Sequence, residues 1–202
     1  MFHEIAFFVA VVLAIPLIWT ADEGKARVAA IAFSLSLVLC FGISALYHRP
    51  TWSRPVRLWL RRLDNAGIFL LIAGTYTPFG LLVLSRNWAI PVLAVVWTGA
   101  LAAILLKVFW VEAPKWLAAA MALALGWAGV SAASQFLKLP VAALALVGAG
   151  GLFYTVGAFV YARRRPDWRP QTFGYHELFH VLTIAAAACQ YAAIAFFVLP
   201  RG

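Results

Sequence analysis

The apolar residues of this chain come in long unbroken runs, and the charged and polar residues collect between them. The runs lie at about Ile5–Trp19, Val28–Tyr47, Asn65–Leu84, Trp88–Leu106, Trp116–Ser134, Val141–Tyr161 and Phe173–Leu199. Most approach the roughly 20 residues that a helix needs to cross about 30 Å of hydrocarbon. A backbone surrounded by lipid must close its own hydrogen bonds, and none of the runs alternates as a barrel strand does, so each predicts a helix. The expected architecture is an all-α integral membrane protein: one domain over residues 1–202, built as a bundle of seven transmembrane helices with short loops. The first run lacks a basic leader and an evident cleavage site, so it reads as a retained helix rather than a signal peptide. Gly126 and Gly129 in the fifth run, and Gly148, Gly150, Gly151 and Gly157 in the sixth, read as places where helices approach closely.

Composition removes the aqueous alternatives. Of the residues, 65% are hydrophobic and 11% charged, and the mean hydropathy is +0.92; a soluble domain of this length cannot hide that much apolar surface. The 16 lysines and arginines divide unevenly: eleven follow runs two, four and six, and five lie on the other side. The positive-inside rule then predicts a cytoplasmic N-terminus and a periplasmic C-terminus. The net charge of +9 reads as topology and contact with anionic headgroups. No basic segment alternates with stacking aromatics, so a nucleic-acid partner is not expected. Cys40 and Cys189 fall inside runs, where thiols pack as small apolar groups, and they imply no disulfide framework.

Ionisable residues at the ends of apolar helices point to function. The second run ends FGISALYHRP, which places Ser44 and His48 four residues apart on one helix face. The third opens with RRLDNAGIFL, with Asp64 as its acidic residue, and the seventh opens with GYHELFH, with His176 and His180 again four apart. The predicted topology brings all five to one depth, on the cytoplasmic side, from three helices. Taken singly, each has a plainer reading: a histidine that snorkels to water, an Asp64 that caps its helix, a Ser44 bonded to its own backbone. Together, three imidazoles make a zinc site with one open position, the pattern of a catalytic centre. A water there would ionise near pH 7. Asp64 could accept its proton or orient it, and Ser44 could hold a hydrogen bond behind the site or the substrate. The remaining histidine, His3, lies in the N-terminal lead and is expected to be incidental.

These motifs, S-x-x-x-H, the aspartate opening the third helix and H-x-x-F-H, together with GTYTPF at 74–79, resemble the hemolysin III family, bacterial relatives of the progestin and adipoQ receptors. The resemblance implies that His48, His176 and His180 ligate zinc, with Asp64 at the metal's water and Ser44 beside it. That group in turn resembles alkaline ceramidases, which implies hydrolysis of a membrane lipid amide or ester; without the N-terminal extension of the eukaryotic receptors, the chain is more similar to the bacterial members, which implies a bacterial inner membrane. A receptor-like sensor with structural zinc would use the same residues. HELFH also matches the H-E-x-x-H of zinc metalloproteases, with Glu177 as base, but that reading leaves His48, Asp64 and Ser44 unexplained. The family name implies haemolysis, yet no residues suggest a pore; Gln135 and Gln190, the main polar groups of the outer halves, do not form a polar track.

Overall fold

The structure, a computed structural model, describes residues 2–49, 51–169 and 171–202. Seven helical spans are long and apolar enough to cross a membrane, and no β-strand occurs among the described residues. Their main helices are α1 (Phe2–Trp19), α2 (Lys25–Tyr47), α3 (Arg54–Leu82), α4 (Arg86–Phe109), α5 (Lys115–Gly126), α6 (Val141–Arg163) and α7 (Tyr175–Ala193). Beyond α5, a 3-10 segment Ala128–Ala132 and a helical turn Ala133–Phe136 complete the fifth span. Beyond α7, a π-turn Ile194–Val198 and a 3-10 turn Leu199–Arg201 at Pro200 complete the seventh.

Two departures from the expected spans matter for function. The third helix begins eleven residues before the apolar run, because RPVRLWLRRL is amphipathic: Pro55 stands in the first turn and the arginines keep to the polar side. Asp64 therefore lies ten residues inside α3, and its side chain is no cap. The fifth span is not one helix: at Gly126 the regular ladder stops.

The bundle packs as small residues in lipid require, since hydrocarbon around the helices leaves little hydrophobic drive to bring them together. One core joins α1, α2, α3 and α7 around Phe33, Ala29 and Ala30, none of which has any exposed surface. A second joins α3, α4 and α5 around Val96 and Ala103. Helix α3 contributes to both, with Leu71 and Phe79 to the first and Phe69 and Ala73 to the second. The outward face is apolar too: Trp19 and Phe109 are each 83% exposed, as lipid-facing residues should be.

The glycines divide in a way that the sequence does not announce. Gly67 and Gly74, two turns apart on α3, admit α2: a Cβ at Gly67 would stand 3.3 Å from the Cα of Cys40, and one at Gly74 would run into the Ser36 hydroxyl. In α6, Gly150 does seat a neighbour, the Gln190 carboxamide of α7. Gly148, Gly151 and Gly126 do not; a Cβ on any of them would meet nothing within 4 Å. Instead of bringing helices together, these three border empty space.

Candidate metal centre and its cavity

Helices α2 and α3 run antiparallel through a short connection, so the end of α2 and the first half of α3 share one end of the bundle with the start of α7. At that end Arg49 pairs with Glu4 at 3.2 Å and Arg61 with Glu112 at 2.8 Å. Lys115 lies over the rings of Tyr161 and Tyr175, donating to the Tyr175 hydroxyl at 2.7 Å. This polar rim encloses the histidines.

His48 terminates α2, its backbone N–H bonded to Ser44 O. His176 and His180 stand one turn apart at the start of α7, where side chains lean toward the helix N-terminus and thus toward the rim. All three turn Nε2 to one point: His176 Nε2 is 3.3 Å from His48 Nε2 and 2.9 Å from His180 Nε2. The three residues are placed to hold a metal ion. His48 keeps an exposed edge, yet lost hydration, and then the neighbouring His176, bring its pKa down to about 4. It is a neutral lone-pair donor at physiological pH, the form that binds metals.

Asp64 and Ser44 line the small recess beside the cluster together with His3, Cys40 and Tyr161. The Ser44 hydroxyl is buried, faces the Asp64 carboxylate and completes no well-formed hydrogen bond. The sequence-predicted residues therefore do come together. His3, expected to be incidental, joins them: it is 7% exposed and its ring centroid lies 3.9 Å from that of His180. Among the described residues neither ring nitrogen of His3 has a hydrogen-bond partner, nor does His180 Nδ1. Only a helix register for residues 2–19 that turns position 3 inward could have revealed this, and the first run is too uniformly apolar to give one. Glu177 is engaged elsewhere: its Oε2 accepts the Gly174 N–H at 2.9 Å and closes the first turn of α7. Cys40 and Cys189 are both free.

Behind the recess opens a cavity of about 380 Å³ between α3, α5, α6 and α7. Ile68, Phe179 and Thr183 line both spaces. Most of the wall is aliphatic or aromatic, and Gly126, Gly148 and Gly151 supply its open stretches. The fifth span curves around it through the break after α5. There Tyr76, within the GTYTPF segment, donates its hydroxyl to Gly126 O at 2.6 Å and accepts the Gly129 N–H at 2.8 Å. In lipid, backbone groups freed by a helix break need such partners. The sequence quotes Tyr76 in a motif but gives no sign of this role.

The sequence profile of the family described as "Haemolysin-III related" matches residues 1–191. The chain belongs to that family. Among its relatives, the Hemolysin-3 homolog of Bacillus subtilis (strain 168) is 30% identical, with 96% of this chain and 92% of the relative aligned. Hemolysin-3 of Bacillus cereus is also 30% identical, over 98% of this chain and 89% of its own length. The adiponectin receptor protein of Drosophila melanogaster is 30% identical over 81% of this chain but only 41% of the receptor. The seven-helix fold and the multi-pass membrane character of this hemolysin III family member agree with these relatives.

Proposed function

We propose that this hemolysin III family protein is a zinc-dependent hydrolase of a membrane lipid amide or ester, with His48, His176 and His180 as ligands and Asp64 and Ser44 at the reacting group. The observation that carries the reading is that the convergent histidines and a carboxylate stand at the mouth of an apolar cavity, within the membrane-spanning bundle. The donor set fits zinc. Ligands at 2.0 to 2.1 Å in a tetrahedron stand about 3.3 Å apart, against 3.3 and 2.9 Å between the nitrogens here. Three imidazoles with no thiolate leave one position open, the composition of catalytic rather than structural zinc.

Zinc bound there would supply a Lewis acid and lower the pKa of a water to about 7. The chain's own residues do the rest. Asp64, a carboxylate beside the cluster, takes the proton from the attacking water and delivers it to the leaving amine or alcohol. Ser44, whose hydroxyl faces that carboxylate, orients it. The cavity holds the acyl chain, and its volume lies within the 300–1,000 Å³ usual for ligand sites. Ile68, Phe179 and Thr183, shared by both spaces, bring the scissile carbonyl to the histidines.

The arginine-rich end of the bundle is the end with the cluster, so the positive-inside rule supports a cytoplasmic site and N-terminus, a periplasmic C-terminus and residence in the inner membrane of a bacterium. Against the protease reading, Glu177 Oε2 accepts the Gly174 N–H in the first turn of α7. The test is purified protein assayed for bound zinc and for fatty acid release from a panel of ceramides, phospholipids and acyl esters. One zinc per chain and release lost in Asp64→Asn are expected. Zinc-loaded protein that releases no fatty acid from any of them would leave a sensor with structural zinc.

A further inference from the structure

The recess beside the histidines holds about 30 Å³, roughly the share of one water in the liquid, so each residue lining it borders the place where a carbonyl from the cavity meets the attacking water. Besides the histidines, its polar walls are Ser44, Asp64, Asn65, Tyr161 and Thr183. Most of their donors are already engaged. Asn65 Nδ2 donates to Arg61 O at 2.7 Å and the Thr183 hydroxyl to Phe179 O at 2.9 Å, Ser44 faces the Asp64 carboxylate, and both ring nitrogens of His3 are sealed from water. Tyr161, near the end of α6, differs: its hydroxyl bonds to no described residue and, unlike that of Tyr154, is not sealed from water. The ring is fixed in place. Phe179 of α7 packs on it with centroids 4.9 Å apart, and Lys115 Nζ stands over it, 4.7 Å from its centroid. Lys115 is held in turn by the Tyr175 hydroxyl at 2.7 Å, and among the described residues no carboxylate pairs with it. An interfacial tyrosine ordinarily sits at the level of the headgroups; this one lines the recess, with a cation over its ring.

We infer that Tyr161 is a catalytic residue of the proposed reaction, donating its phenolic O–H to the oxygen that turns negative when water adds to the lipid carbonyl, with Lys115 as the positioning residue behind it. In that step the water oxygen bonds to the carbonyl carbon, the π pair of the C=O moves onto its oxygen, and Asp64 takes a proton from the water. Collapse returns the pair, breaks the C–N or C–O bond, and passes that proton to the leaving amine or alcohol. Charge on the carbonyl oxygen is greatest in the tetrahedral state, so a donor placed there stabilises the transition state more than the substrate. The ammonium over the ring strengthens the donor, because a nearby cation favours the negative charge that a phenol oxygen gains as it gives up its proton. The inference deepens the proposed lipid-hydrolase function and rests on it.

The experiment gives the zinc-loaded protein in nanodiscs two substrates: para-nitrophenyl palmitate, whose leaving group departs without a proton, and N-palmitoylsphingosine, whose amine needs one. Tyr161→Phe should lower kcat on both alike, roughly 100- to 1,000-fold, the range for loss of one oxyanion donor, with KM, zinc content and melting temperature unchanged. In displacement of a fluorescent fatty acid, the variant should bind dodecylphosphonate, a tetrahedral oxyanion, roughly 10-fold more weakly than the wild type does, and dodecanol equally well. Lys115→Met should lower kcat in the wild type and have no further effect in Tyr161→Phe, because it acts through the phenol. Unchanged kcat on both substrates would overturn the inference. So would a loss confined to the amide, which would make Tyr161 the acid for the leaving group, or equal phosphonate affinity in the two proteins. An undiminished effect of Lys115→Met in Tyr161→Phe would remove Lys115 from the scheme. A zinc-loaded wild type that hydrolyses neither substrate would bring down the hydrolase reading and this inference together, whereas hydrolysis by wild type and Tyr161→Phe alike would bring down this inference alone.

Discussion

Gly148 and Gly151 border the cavity, with nothing within 4 Å of an added Cβ, and this makes them the place to shorten it without touching the histidines. A leucine at Gly151 adds four carbons to a helix interior and meets no neighbour at its Cβ. Two effects of opposite sign follow. The helix gains, because glycine is about 0.8 to 1.0 kcal/mol worse than alanine in a helix interior and leucine is nearly as good as alanine. The ligand loses the room for about four methylenes, each contributing about 0.8 kcal/mol when buried, or about 3 kcal/mol in all. That is on the order of a hundredfold in affinity for a chain long enough to fill the cavity. A chain four carbons shorter should bind the variant and the wild type alike. The assay is probe displacement by saturated fatty acids of increasing length, run beside thermal unfolding in the same detergent. Gly151→Leu should shift the length preference downward with no fall in melting temperature, and Gly148→Leu should act in the same direction. A variant that melts lower with unchanged chain-length preference would show that these glycines serve packing after all, and would refute the assignment of the cavity.

Other outcomes follow from the same geometry. His180→Ala should strip most of the metal, read by elemental analysis after gentle purification, because two ligands hold zinc far less well than three; full retention would dissolve the site. His3→Phe, which keeps the ring contact with His180, tests whether a His3 nitrogen serves the His180 Nδ1 when metal binds: metal affinity should fall about 10- to 100-fold, the usual effect of losing a group bonded behind a ligating histidine, and unchanged affinity would leave His3 a packing role. Glu177→Gln should leave most of the hydrolysis, since glutamine can still accept the Gly174 N–H, and Asp64→Ala should remove it; the reverse pattern would favour the metalloprotease motif. A periplasmic reporter fused after Gly202 should be active, and activity only of a cytoplasmic reporter would invert the topology.

The spans were legible in the sequence because twenty apolar residues in lipid have one solution, and the histidine triad because i, i+4 spacing and topology fix both face and depth. What escaped has physical causes. Arg54–Leu63 escapes a test for apolar runs because it is an amphipathic start at the bilayer surface, so the sequence puts Asp64 at a helix end when it lies well inside. The glycines of α6 all read as packing, since a missing side chain looks the same whether a helix or a void lies opposite; only the three-dimensional arrangement separates Gly150 from Gly148 and Gly151. His3 reads as incidental because position along the chain says nothing of which way the first helix turns. Gln190 shows as a polar residue in an apolar run, but only the fold gives its nitrogen Val147 O to donate to and leaves its oxygen without a partner among the described residues.

The break in the fifth span has a consequence for time rather than for affinity. On α3, α6 and α7 the wall of the cavity is continuous helix, in which each turn supports the next. At Gly126–Gly129 the wall is held by one phenol through two hydrogen bonds, and a stretch outside the regular ladder is where local opening begins at least free energy. How long a hydrocarbon tail stays would then be governed by how often Tyr76 releases that stretch, and how tightly it is held by the walls that do not move. Tyr76→Phe should consequently shorten the dwell time of a bound chain, speeding both entry and escape, while its equilibrium occupancy barely changes.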